Sequence, residues 1–159
     1  MPKLAGVVPD AAAEGAPGFF TAPQLAALKK LGDLLVPATE TRPGASQAAV
    51  AEFLDFLLSQ SPADRQKLYR DGLDRLQSEA QERHRKAFEH LSVEQAGAIL
   101  APLGEPWTYR GPSDPFAHFL RAAKEDLLEA TVNSREFSGA QTGRGRRGGG
   151  LGTYWYPVE

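Results

Sequence analysis

Cysteine is absent from this chain of 159 residues, and methionine occurs once. Without thiols the chain cannot form disulfides, thiolate metal sites, iron–sulfur clusters, a cysteine nucleophile or covalent haem attachments. It also lacks the run of ~18–20 apolar residues that a bilayer span needs. The richest stretch, Phe53 to Leu58, is interrupted by Asp55. A net charge of −2 argues against a general attraction to nucleic acid or anionic lipid.

The start of the chain shows no export signal. Lys3 offers a positive charge, but Pro9 and Asp10 interrupt the apolar residues that follow, so no hydrophobic signal core forms. This pattern indicates either a cytosolic protein or a signal removed before residue 1. Residues 1–18 are rich in alanine, glycine and proline, and we expect them to form a flexible, extended N-terminal arm.

Two capping boxes mark helix starts within residues 19–134, the predicted helical domain. Thr21 is followed three residues later by Gln24, and Ser92 is followed in the same way by Gln95. In such a box the hydroxyl accepts from the third helical amide while the glutamine reaches back to the cap amide. The sequence therefore predicts a first helix from Thr21 and a fourth helix from Ser92.

Three further helices are predicted from other start signals and from apolar residues at helical spacing. Ser46 is the expected cap of the second helix, Pro62 starts a third that reaches about His90, and Asp114 precedes the fifth. Helix signals stop after Asn133. No stretch alternates apolar and polar residues long enough for a strand. The prediction is an all-α fold, an irregular bundle of about five helices.

Two segments outside these helices have the composition of contact sites. The loop at residues 37–45 reads Pro-Ala-Thr-Glu-Thr-Arg-Pro-Gly-Ala. Residues 135–159 are predicted to be an extended C-terminal tail that is rich in glycine and contains three consecutive aromatic residues at 154–156. Such a tail cannot build its own core. Its aromatic side chains therefore need burial against the bundle or against another chain.

The sequence of the tail gives little support for nucleotide binding or RNA binding. Residues 143–148 match GxGxxG, but a dinucleotide fingerprint also needs a preceding strand and a following helix. A flexible basic segment explains the match more simply. Arginine- and glycine-rich tails with aromatic residues also bind RNA, but the glycine-rich segment at residues 139–152 has only three arginines and the chain is slightly acidic.

Catalytic signals are equally weak. The three histidines follow no metal-binding motif, and no serine lies in a nucleophile elbow. The acidic group of Glu125, Asp126 and Glu129 is interpreted as one turn of solvated helix. The residues provide no candidate active site.

Several short stretches together carry a resemblance to a known family. They lie at residues 37–45, 50–57, 69–76, 88–95, 114–116, 131–134 and 154–157. Their order and spacing resemble the gluconate 2-dehydrogenase subunit 3 family, the small subunits of FAD-dependent sugar dehydrogenases, over about residues 19–159. Glu40 stands where the family loop commonly has aspartate, and Arg42 is an insertion. These departures indicate a branch whose large subunit acts on a substrate other than gluconate.

The resemblance implies a non-catalytic accessory or chaperone-like subunit of a membrane-associated or periplasmic complex. Its partner would be a large flavoprotein of the glucose-methanol-choline type that carries FAD and oxidises sugars or polyols. A cytochrome c subunit with haem c is a further implied partner. The small subunit itself would carry no cofactor or metal, would not span the membrane and would not bind nucleic acid. The resemblance favours the periplasm, and the cytoplasm stays an alternative.

We expect the loop and the tail to contact the large subunit. The predicted contact residues are Pro37, Thr39, Glu40, Thr41, Arg42, Pro43, Gly44, Arg144, Arg146, Arg147, Tyr154, Trp155 and Tyr156. One alternative is that the tail folds back on its own bundle. Two alternatives to the accessory function also stay open, namely a stand-alone helical protein-interaction module and RNA binding through the arginine- and glycine-rich tail.

Overall fold

Helices make up most of the part of the chain that the structure describes. The computed structural model describes residues 18–106 and 108–142. In these ranges there are six α-helices and no strand, which confirms the all-α prediction. The helices are α1 (Ala22–Leu35), α2 (Val50–Ser59), α3 (Ala63–His84), α4 (Val93–Ile99), α5 (Pro115–Val132) and α6 (Arg135–Thr142). Short 3-10 helices occupy Phe88–His90 and Ala101–Gly104.

Side-chain caps that the sequence predicts mark where three of the helices begin. The Thr21 hydroxyl oxygen accepts from the amide of Gln24 at 3.4 Å, and the Gln24 side chain accepts from the amide of Thr21 at 3.1 Å. Ser92 and Gln95 repeat this box at 3.2 and 3.1 Å. The Asp114 carboxylate caps α5 by accepting from the backbone amide of Ala117 at 2.9 Å. These three predicted helix starts are confirmed. They were predictable because a cap and its hydrogen-bond partner lie within four residues of sequence.

The predicted start of the second helix was wrong. Helix α2 begins at Val50, because Ala49 before it has a left-handed backbone with a φ of 49°. Ser46, the expected cap, donates a hydrogen bond from its hydroxyl to the carboxylate of Asp33 on α1. A partner distant in sequence has therefore taken the hydroxyl that a local reading assigned to capping.

The predicted end of the third helix was also wrong. Helix α3 ends at His84, short of the expected end near His90, because Arg85 adopts a left-handed backbone with a φ of 55°. The chain then turns so that Phe88, in a 3-10 helix, is buried in the core. Arg85 is not one of the residue types that favour this conformation, so the sequence carried no stop signal there.

A third correction concerns the residues after Asn133, where helix signals were predicted to stop. Residues 135–142, assigned to an extended tail, instead form helix α6. The Ser134 hydroxyl oxygen accepts from the amide of Phe137 at 3.1 Å and so starts the helix. Gly139 lowers the helix propensity of this short segment by about 1 kcal/mol, which weakened the signal.

The core lies where α1, α3 and α5 contact one another. Its largest fully buried side chains include Tyr69 of α3 and Phe119 of α5, whose rings pack edge to face at a centroid distance of 5.5 Å. A Cβ atom at Gly72 would lie 2.0 Å from Cγ of Phe119. Glycine at this position therefore lets α3 pass directly against the Phe119 ring.

The remaining predicted segments lie largely outside the described residues. The expected N-terminal arm, residues 1–18, is described only at Gly18. The predicted tail is described only as far as residue 142. Both assignments therefore stay predictions beyond those points.

Candidate partner interface

The loop at residues 37–45 is a tight turn that hydrogen bonds hold in one shape. The Thr39 amide donates to the carbonyl of Arg42 at 2.9 Å, and the Arg42 amide donates to the carbonyl of Thr39 at 3.4 Å. The Thr39 hydroxyl oxygen also accepts from the amide of Arg42 at 3.1 Å. Glu40 and Thr41 form the tip and are exposed. The loop thus presents a polar, hydrogen-bonding tip to its surroundings.

Gly44 fixes the base of this loop. Its amide donates to the side-chain oxygen of Gln47 at 3.0 Å, and the next amide, from Ala45, donates to the carbonyl of Val36 at 3.0 Å. A Cβ atom at Gly44 would lie 2.4 Å from the nitrogen of Ala38 and 2.6 Å from the oxygen of Val36. Both are backbone atoms, so only glycine fits without moving the loop.

Helix α6 lies beside the loop. The guanidinium carbon of Arg42 lies 5.9 Å from the centroid of the Phe137 ring, within the range of a cation–π contact. An open cavity of about 390 Å³ is lined by loop residues 38–43 and by Glu136 and Ala140 of α6. Residues 143–159 follow directly after α6 in the chain. The structure therefore brings the loop next to α6, which forms the first 8 residues of the predicted tail, a proximity that sequence reasoning missed.

The predicted contact residues divide into two sets. The loop residues lie together: Pro37, Thr39, Glu40, Thr41 and Arg42 are exposed, Pro43 is half-buried and Gly44 is buried. Burial at Gly44 indicates that this residue shapes the loop. The tail residues lie outside the described residues: Arg144, Arg146, Arg147, Tyr154, Trp155 and Tyr156. Their contacts stay predictions.

A larger groove of about 560 Å³ lies between α2, α5 and the start of α6. Sequence reasoning missed it, because its walls come from segments far apart in the chain. Its apolar wall comes mainly from α2 and includes Val50, Phe53, Leu54 and Leu57. Its charged residues are Arg65, Asp126, Glu129, Arg135 and Glu136. We call this feature the α2–α5–α6 groove.

Asp126, in the wall of this groove, connects two helices. Arg65 donates from Nη2 to Oδ2 of Asp126 at 2.8 Å, and the hydroxyl of Tyr69 donates to the same oxygen. Burial raises the pKa of Tyr69 above its ordinary value, and the hydrogen bond to Asp126 adds to this shift. Interpreting the acidic group as a solvated turn was therefore wrong for Asp126, which links α5 to α3.

Two further observations on residues 18–106 and 108–142 concern metal ions and membranes. No group of three histidine, cysteine, aspartate or glutamate side chains there is placed to hold a metal ion. None of the helices in these ranges is long and apolar enough to cross a membrane. The GxGxxG match at 143–148 lies beyond them.

The fold defines a small all-α bundle protein, and its most distinctive described surfaces are a shaped loop and an open groove. The family model described as Gluconate 2-dehydrogenase subunit 3 matches residues 22–143. The chain belongs to this family, which confirms the resemblance seen in the sequence. The family relates it to the small subunits of a dehydrogenase complex and implies partner subunits. No curated protein and no solved structure gave a significant match.

Proposed function

We propose that the chain is the non-catalytic small subunit of an FAD-dependent sugar or polyol dehydrogenase complex. In this complex it stabilises a large flavoprotein subunit of the glucose-methanol-choline type. The observation that carries the proposal is the family match over residues 22–143. FAD would be bound by the large subunit, and haem c by a third, cytochrome c subunit. The periplasm is the proposed location, and the cytoplasm is the alternative.

The proposed contact surface combines the loop at residues 37–45 with the adjacent side of α6. The hydrogen bonds of Thr39 and the close packing around Gly44 fix the loop before any partner binds. A preorganised loop loses less conformational freedom on association, so more of its contact energy appears as affinity. The exposed side chains of Glu40, Thr41 and Arg42 would supply polar contacts.

The tail would extend this surface through its aromatic residues. Residues 143–159 follow α6, the helix that lies beside the loop. Aromatic anchors at the centre of an interface typically lose ~2 kcal/mol or more of binding energy when truncated. We therefore propose Tyr154, Trp155 and Tyr156 as anchors, with Arg144, Arg146 and Arg147 as charged contacts.

Pull-down from cells that co-express the flavoprotein tests this surface. A loop variant carrying Glu40→Ala and Arg42→Ala, and a tail variant Trp155→Ala, should each recover less flavoprotein than the parent chain. Gln81→Ala is the control, because Gln81 is exposed on α3 and lines neither the loop cavity nor the groove. Full recovery with the loop and tail variants would contradict the proposed surface.

A further inference from the structure

The α2–α5–α6 groove has the dimensions of a binding site. Its volume of about 560 Å³ lies within the ~300–1,000 Å³ that ligand pockets occupy. Val50 and Leu54 are buried behind it, whereas Leu57 is half-buried and Phe53 keeps 50% of its surface exposed at the edge. An exposed phenylalanine beside an apolar wall gives an aromatic side chain a place to pack.

The charges around the groove favour a basic occupant. Arg65 and Asp126 neutralise each other in an ion pair at 2.8 Å. The remaining charged lining residues are Glu129, Arg135 and Glu136, so carboxylates outnumber guanidinium groups. An arginine-bearing segment would therefore gain favourable electrostatic contacts at the rim.

The chain itself contains a segment with the required chemistry. Residues 143–159 combine three arginines, at 144, 146 and 147, with the aromatic run at 154–156. They begin after Thr142, at the far end of α6 from the groove residues 133–136. That helix has 8 residues and is about 12 Å long.

The connection is long enough for the aromatic run to return to the groove. Residues 143–153 can extend to about 36 Å, roughly three times the length of α6. Attachment to the same chain also gives a tethered segment an effective concentration in the millimolar range. A separate molecule would need considerable affinity to compete with it.

We propose that, in the free subunit, the aromatic run Tyr154–Tyr156 docks into the chain's own α2–α5–α6 groove, with the tail arginines at its acidic rim. This inference concerns the subunit without its partner and does not depend on the proposed function. A tail that is held in this way would have to leave the groove before it could anchor a partner.

Fluorescence of the isolated subunit tests the proposal. The chain has two tryptophans, so a Trp107→Phe variant leaves Trp155 as the reporter. Its emission should be blue-shifted, and iodide should quench it several-fold less strongly than free N-acetyltryptophanamide. If Trp107→Phe does not fold, the difference between the unmodified chain and a Trp155→Phe variant gives the same signal.

Two substitutions on helix α2 locate the docking site. Phe53→Asp places a charge at the groove edge and should make Trp155 as accessible to iodide as the free indole. Phe56→Asp is the matched control, because Phe56 is on the same helix, is 66% exposed and does not line the groove. It should leave the quenching of Trp155 unchanged.

Four results would overturn the proposal. The first is that iodide quenches Trp155 as strongly as the free indole before any groove substitution is made, and the second is that Phe53→Asp leaves the quenching of Trp155 unchanged. The third is that iodide quenches Trp155 equally in the Phe53→Asp and Phe56→Asp variants. The fourth is that Trp155 loses its protection from iodide when the protein is diluted. The last result would identify a second copy of the chain as the occupant. Because no flavoprotein is present, none of these results bears on the proposed function.

Discussion

Gly44 stands where any side chain would collide with the backbone of its own loop. Replacing it with alanine places Cβ 2.4 Å from the nitrogen of Ala38. We expect Gly44→Ala to displace the loop and to lower the free energy of unfolding by about 1–3 kcal/mol, the usual range for overpacking. Thermal denaturation measures the loss, and amide chemical shifts across residues 37–45 report the displacement.

Gly97→Ala is the control for this prediction. Gly97 lies in α4, and no atom lies within 4 Å of a Cβ built there. Alanine is favoured over glycine in a helix by about 0.8–1.0 kcal/mol, so this variant should be slightly more stable than the parent. Equal stability of the two alanine variants would contradict the role assigned to Gly44.

Glu79 gives the molecule a pH-dependent contribution to stability. Its carboxylate pairs with Arg75 at 2.6 Å and with Arg83 at 2.8 Å, one turn away on either side. The hydrogen bond from Arg75, with the positive charge of Arg83, lowers the pKa of Glu79 below its ordinary value. A lowered pKa in the folded state means that this stability is present above pH 4.5 and is lost as the pH falls further.

Glu79→Gln should therefore cost about 0.5–1 kcal/mol near neutral pH, the sum expected for two such helix pairs. The cost should shrink below pH 4.5, where Glu79 itself takes up a proton. Urea unfolding at both acidities measures the difference. Glu82→Gln is the control, since Glu82 is exposed on the same helix. A loss for Glu79→Gln that does not change with pH would contradict the ion-pair explanation.

At the scale of single elements, α6 depends on a small number of contacts. An isolated helix of 8 residues is not stable in water. Ser134 caps it, and Phe137 contacts Arg42 of the loop. Helix α6 is therefore the described element whose formation should respond most directly to a single substitution.

Ser134→Ala removes the cap and should cost α6 about 1 kcal/mol. That loss corresponds to amide hydrogen exchange that is about fivefold faster within α6, while exchange in α3 stays unchanged. Ser78→Ala, at an exposed site within α3, is the control. Unchanged exchange in α6 of the Ser134 variant would show that the loop contact alone holds this helix.

A helix boundary was predictable where its signal lies within a few neighbouring residues. The boxes at Thr21 and Ser92 were predictable because each cap and its partner lie three residues apart. The start at Val50 was not, because Asp33 takes the hydroxyl of Ser46 from another helix. The left-handed backbone at Arg85 has no local signal, since the residue types that favour this conformation are absent there.

At the scale of the whole molecule, the fold class and the family were accessible from sequence, but the arrangement of the surfaces was not. The loop at residues 37–45 was identified from its composition. Its contact with α6 joins Arg42 to Phe137, which are distant in the chain. The link from Asp126 to Tyr69 spans 57 positions. Neither pairing follows from local periodicity. The α2–α5–α6 groove and the contact between the loop and α6 were therefore visible only in the tertiary structure.

We propose above all that this chain is a subunit of a flavin-dependent dehydrogenase. The most direct test of this proposal is the visible absorption spectrum of the material purified through this chain after co-expression with the product of the neighbouring open reading frame. We predict a yellow complex whose two flavin bands bleach when a suitable sugar or polyol is added. A colourless chain recovered alone from cells that contain the soluble flavoprotein would contradict the claim and favour a stand-alone helical interaction module.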